Sequence, residues 1–116
     1  MTVRRLKTYT GETGYVYQYY FVGQRRALDS PATEYIFDVS ADRKTTFAVS
    51  VFLLDHAITD WEAQHGRKLV DAERYASAKM RLFRAFDEIE KLMEQGRQLL
   101  IGPEEMEDLL ATLGVD

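Results

Sequence analysis

Tyr15-Val16-Tyr17-Gln18-Tyr19-Tyr20-Phe21-Val22 is the stretch that decides how this chain reads. It is aromatic or β-branched at nearly every position, the side-chain types that suit a pleated surface, and it lies between Gly14 and Gly23. Successive side chains of a strand point to opposite faces. Tyr15, Tyr17, Tyr19 and Phe21 therefore share one face, and Val16, Gln18, Tyr20 and Val22 share the other.

The same period continues downstream. Glu34 to Ser40 alternates, with Tyr35, Phe37 and Val39 inward and Glu34, Ile36 and Asp38 on the reverse, and Thr45 to Leu54 reads as its partner after a turn at Ala41-Asp42-Arg43-Lys44. Upstream, Thr2 to Tyr9 offers a further strand, turned back by Gly11-Glu12-Thr13-Gly14. Gly23 to Thr33, with Arg25-Arg26 and Ser30-Pro31, reads as a loop. Beyond Leu54 the period changes to three or four. Asp55 is placed to cap a helix over about 56–65 that presents Ile58 and Trp61 and stops at Gly66. Asp71 is placed to cap a long amphipathic helix from Ala72 to Gln95, in which Tyr75, Leu82, Phe86, Ile89 and Met93 recur at helical spacing. Leu99-Leu100-Ile101 is a short strand or an extended tie, and Pro103 opens a last helix striped by Met106, Leu109, Leu110 and Leu113.

The expected fold is α+β in one domain over residues 1–116: an antiparallel meander of three to four strands, then three helices, the long one packed on one sheet face. Strands 15–22 and 46–54 are apolar on both faces, whereas helices can cover only one. A second subunit or the C-terminal helix is expected on the other, which predicts a homodimer, with a protein partner as the other kind of occupant.

Composition narrows the function. With 46% hydrophobic and 29% charged residues in 116, the chain supports one real core. It has no cysteine, which removes disulfide scaffolds, thiolate metal sites and thiol nucleophiles. No apolar run follows the N-terminal charges as in a secretory signal, and the longest apolar stretch, Phe47–Leu54, is far short of the about 20 residues a membrane span needs. A soluble, cytoplasmic protein with no membrane association is the expectation.

Charge is uneven. Residues 1–28 hold five Arg or Lys against Glu12 alone, net +4, while 29–116 hold ten against eighteen acids, net −8. The basic end coincides with the tyrosines, so Arg4, Arg5, Tyr17, Tyr19, Tyr20, Arg25 and Arg26 form the one candidate binding cluster, of the kind that stacks single-stranded bases. The overall charge of −4 opposes nucleic acid at long range. A third reading is a small-ligand pocket between sheet and helices, lined by Tyr35, Phe37, Trp61 and Tyr75, with Gln18 or His65 as its polar group. Glu62 and His65 have the Glu-x-x-His spacing of di-iron bundles without the second copy such sites require, and no phosphate loop or nucleophile elbow occurs. The sequence thus points to an interaction or regulatory module with no cofactor, no metal and no catalytic chemistry of its own.

Overall fold

The computed structural model describes residues 6–11 and 14–116. Its elements are β1 (Lys7–Thr10), β2 (Val16–Arg26), β3 (Ala32–Ser40), β4 (Phe47–Leu54), α1 (Asp55–His65), α2 (Asp71–Glu88), α3 (Leu92–Gln95), β5 (Gln98–Ile101) and α4 (Pro103–Thr112). The five strands lie in the order β1-β2-β3-β4-β5, the first four as an antiparallel meander and β5 parallel to β4 at the edge. A parallel partner needs a long crossover, and α1 to α3 supply it. The α+β class and the long helix on one sheet face are as expected. Among the described residues the sheet is larger by the parallel strand, and there are four helices instead of three.

Three local differences have physical causes. The helix expected to reach Gln95 ends at Glu88, because Ile89 is extended (φ −108°, ψ 107°) and the chain must turn back to bring β5 beside β4. Gly96 makes that return possible: a Cβ there would lie 2.5 Å from Leu92 Cδ1 and 2.9 Å from Ile89 Cδ1. The expected loop from Gly23 to Thr33 shrinks to residues 27–31, since β2 runs on to Arg26 through a bulge between Phe21 and Gly23. Neither aspartate is the cap residue. Leu54 and Val70 stand at those positions, and Asp55 turns instead to Arg26, with bonds of 2.9 and 2.6 Å. The expected strand from Thr2 lies outside the described residues as far as position 5; β1 begins at Lys7.

The core sits on one face of the sheet. Tyr17 and Tyr19, Tyr35, Phe37 and Val39, Val49, Val51 and Leu53, and Leu99 and Ile101 all point to it, meeting Ala78, Leu82, Ala85 and Phe86 of α2 and Met106, Leu109 and Leu110 of α4. Phe86 stacks on Tyr17 with centroids 4.4 Å apart, and Tyr9 stacks on Phe83 at 4.6 Å while its hydroxyl donates to Asp87 at 2.6 Å. The aromatic strand is therefore core material: α2 covers its odd-numbered side.

The start of α2 carries a pH-sensitive tie. Arg67 donates to both Glu73 oxygens (3.0 and 2.8 Å), and the Val70 amide donates to one of them at 3.0 Å. The Arg67 bond, then the Val70 bond, hold the Glu73 carboxyl down from its ordinary 4.5 to about 2. A carboxylate whose folded value is depressed stabilises the fold above its unfolded value, and that contribution fades as pH falls toward the folded one. Urea midpoints are expected to drop between about pH 5 and about pH 2, and Glu73→Gln to shallow that drop. Parallel pH profiles for the variant and the parent would show that the tie contributes nothing.

Candidate functional site

The described residues of the expected cluster do not share one face. Arg4 and Arg5 lie outside the described residues. Tyr17 and Tyr19 are buried beneath Phe86 and Phe83, and burial pushes the Tyr19 hydroxyl up to about 12. Tyr20 points to the opposite face, in register with Asp38. The bulge then separates the two arginines. Without it Arg25 would follow Tyr17, Tyr19 and Phe21 onto the helix side; with the extra residue, Arg25 pairs with Glu34 on the other face and Arg26 reaches Asp55.

The expected pocket between sheet and helices is filled by its own lining. Tyr35, Phe37 and Trp61 are buried, and the Tyr75 ring lies against Phe21 at 4.9 Å and Phe37 at 6.3 Å. Gln18 faces the other side of the sheet, in register with Ser40. His65 stacks on Trp61 at 4.1 Å and bonds Glu107 of α4 at 2.9 Å, so it ties two helices together. Glu62 accepts the Leu69 amide at 2.7 Å. Among the described residues no group of three or more His, Asp or Glu side chains is placed to share a metal ion, and no helix is long and apolar enough to cross a membrane.

What stands open is the even-numbered face. The buried stripe of α4 joins the same core as α1 and α2, so the C-terminal helix does not cover it. Val16, Val22 and Leu100 are exposed there, and Tyr20, Ile36 and Phe52 half-buried. Register places Arg25, Glu34, Phe52 and Leu100 in one row across β2, β3, β4 and β5. The 27–31 loop lies at the end of this row, and its Leu28, Asp29 and Ser30 close one side of a cavity of about 420 Å³.

The floor of that cavity is an ion pair whose carboxylate is buried and whose guanidinium is half exposed. Glu34 is only 6% exposed although it lies on the open face. Arg25 Nε donates to its Oε1 at 2.8 Å and Ser50 Oγ donates to its Oε2 at 2.6 Å. These two bonds, Arg25 first, hold the Glu34 carboxyl below the usual range. The pair is thus a carboxylate satisfied on both oxygens and a guanidinium fixed by its Nε, with its two terminal nitrogens turned to no partner among the described residues. Sequence reading placed Glu34 correctly on the reverse face but gave no sign of its burial, which depends on Ser50 and Phe52 from the next strand. The chain matches no family model, no curated protein and no solved structure, so the site is read from its geometry and chemistry alone.

Proposed function

We propose that this protein is an interaction module working through the open face of its sheet, and that its first partner is a second copy of itself. The observation that carries the reading is the apolar surface of Val16, Val22, Ile36, Phe52 and Leu100, which no layer covers among the described residues while every helix joins the core beneath. Five strands at about 4.8 Å spacing and eight residues at about 3.3 Å span on the order of 600 Å², near the roughly 800 Å² each partner gives to a standard interface. A two-fold pairing of like faces would bury that surface in both copies at once. The module has no reaction of its own in this reading, and a cysteine-free chain suits the reducing cytoplasm, where we place it.

Light scattering on the eluting protein tests this. A mass near twice 13.4 kDa is expected for the parent, and Val16→Lys with Val22→Lys is expected to return it to a single copy with an unchanged circular dichroism spectrum. Both positions are already exposed, so the change leaves the core alone. A parent that stays single at high micromolar concentration overturns the reading.

A further inference from the structure

We propose that the cavity on the open face between the 27–31 loop and β5 is a binding site for a small apolar α-amino acid, held by its carboxylate on Arg25. This goes beyond self-association: it adds a ligand site at the Arg25 side of the same face, sharing Phe52 and Leu100 with the apolar surface proposed for pairing. The argument starts from the unused hydrogen-bonding capacity of Arg25. A guanidinium offers five N–H donors in a planar fork; Glu34 takes the one on Nε, and the four on the terminal nitrogens have no acceptor among the described residues. Glu34 cannot rotate to follow them, because Ser50 holds its other oxygen and it is almost wholly buried. The Arg25 side chain is anchored at Nε and 55% exposed, so its terminal N–H groups are open to bidentate recognition of a carboxylate.

The surroundings select the rest of the ligand. Leu28, 82% exposed, and Leu100, 56% exposed, stand with Phe52 around a cavity of about 420 Å³, within the usual range for small-molecule pockets. An apolar side chain laid there would cover surface that water now wets. Asp29, on the loop that closes the cavity, makes no ion pair or side-chain hydrogen bond among the described residues. Its charge disfavours a dianion such as phosphate and suits an ammonium group. Arg25 and Glu34 offset each other's charge, so the site presents unbonded guanidinium N–H donors and one carboxylate, Asp29, beside an apolar wall, the hydrogen-bonding complement of an apolar amino acid in its zwitterionic form.

The test is a titration of the full chain, followed by backbone amide NMR shifts, with L-leucine, leucinamide, 4-methylpentanoate and inorganic phosphate at millimolar concentration. Leucine is expected to shift the amides of Leu28, Phe52 and Leu100. Leucinamide, lacking the carboxylate, is expected to bind about ten- to hundredfold more weakly, and phosphate not to compete. Arg25→Gln should abolish the leucine shifts and Arg26→Gln leave them intact. Because Arg25→Gln also strips Glu34 of its partner, Asp29→Asn provides a second variant on an exposed loop, expected to weaken leucine while leaving 4-methylpentanoate unchanged. Equal binding of leucine and leucinamide, an unaffected Arg25→Gln variant, or no shift with any probe overturns the proposal. Light scattering on the same samples separates it from self-association: a dimer without leucine shifts retains the module and removes the site, and a single copy with them does the reverse.

Discussion

Phe86→Ala is expected to lower the free energy of unfolding by about 3–5 kcal/mol. Phe86 is 3% exposed at the centre of the seam between α2 and the aromatic strand. Its ring lies flat on Tyr17, with an interplanar angle of 7°, and within 6.0 Å of Tyr9, Tyr19 and Phe83 or close to it, at 5.5, 6.0 and 6.3 Å. Truncation removes the transfer energy of the ring and leaves a cavity that rigid neighbours refill poorly, and the aromatic pairing adds about 0.5–1.5 kcal/mol. Phe83, half-buried on the same helix, should cost less. Denaturant midpoints for the two alanine variants check this, and a Phe86→Ala loss below about 1 kcal/mol would mean that the helix does not sit on the strand as described.

The second large effect is expected at Trp61, the chain's one tryptophan. It is 2% exposed, sandwiched between the His65 ring at 4.1 Å and the Arg67 guanidinium 5.1 Å from its centroid, where α1 meets α4. Trp61→Ala is expected to cost about 3–5 kcal/mol. Trp61→Phe should cost far less than that, because the buried indole Nε1 has no hydrogen-bond partner among the described residues, and phenylalanine removes this donor along with some volume. Thermal unfolding followed by circular dichroism distinguishes the two. Equal losses for both variants would show that the indole nitrogen does have a partner.

The alternation of Tyr15 to Val22 and of Glu34 to Ser40 was enough to separate inward from outward residues, and the helical spacing of Tyr75, Leu82 and Phe86 was enough to lay α2 on the sheet. These are local periodicities set by backbone geometry. The described members of the candidate cluster divide between the two faces for a reason equally local: Tyr19 and Tyr20 are neighbours in sequence and therefore opposite in space. The bulge that moves Arg25 to the open face and Arg26 to the helix side adds one residue to a pairing, and nothing in the strand's own composition but Gly23 marks it. The Arg25–Glu34–Phe52–Leu100 row draws one residue from each of four strands, the last arriving by a long crossover, so no window of sequence contains it. The end of α2 at Glu88 was hidden because Ile89 and Met93 continue the apolar stripe while the chain itself turns away.

The parallel edge strand also fixes an order of assembly. Each strand of the meander meets its partner across a short turn, but Ser50 and Gln98 come into register from opposite sides of three helices. Closing so long a loop is entropically slow, so β1 to β4 are expected to zip first and β5 to dock last, after α2 has found the sheet. Until then β4 presents a row of unpaired backbone N–H and C=O groups at the edge of the sheet, open to pairing with another chain. In that order Gln98–Ile101 seals the edge last, and slowing its docking is expected to favour aggregation.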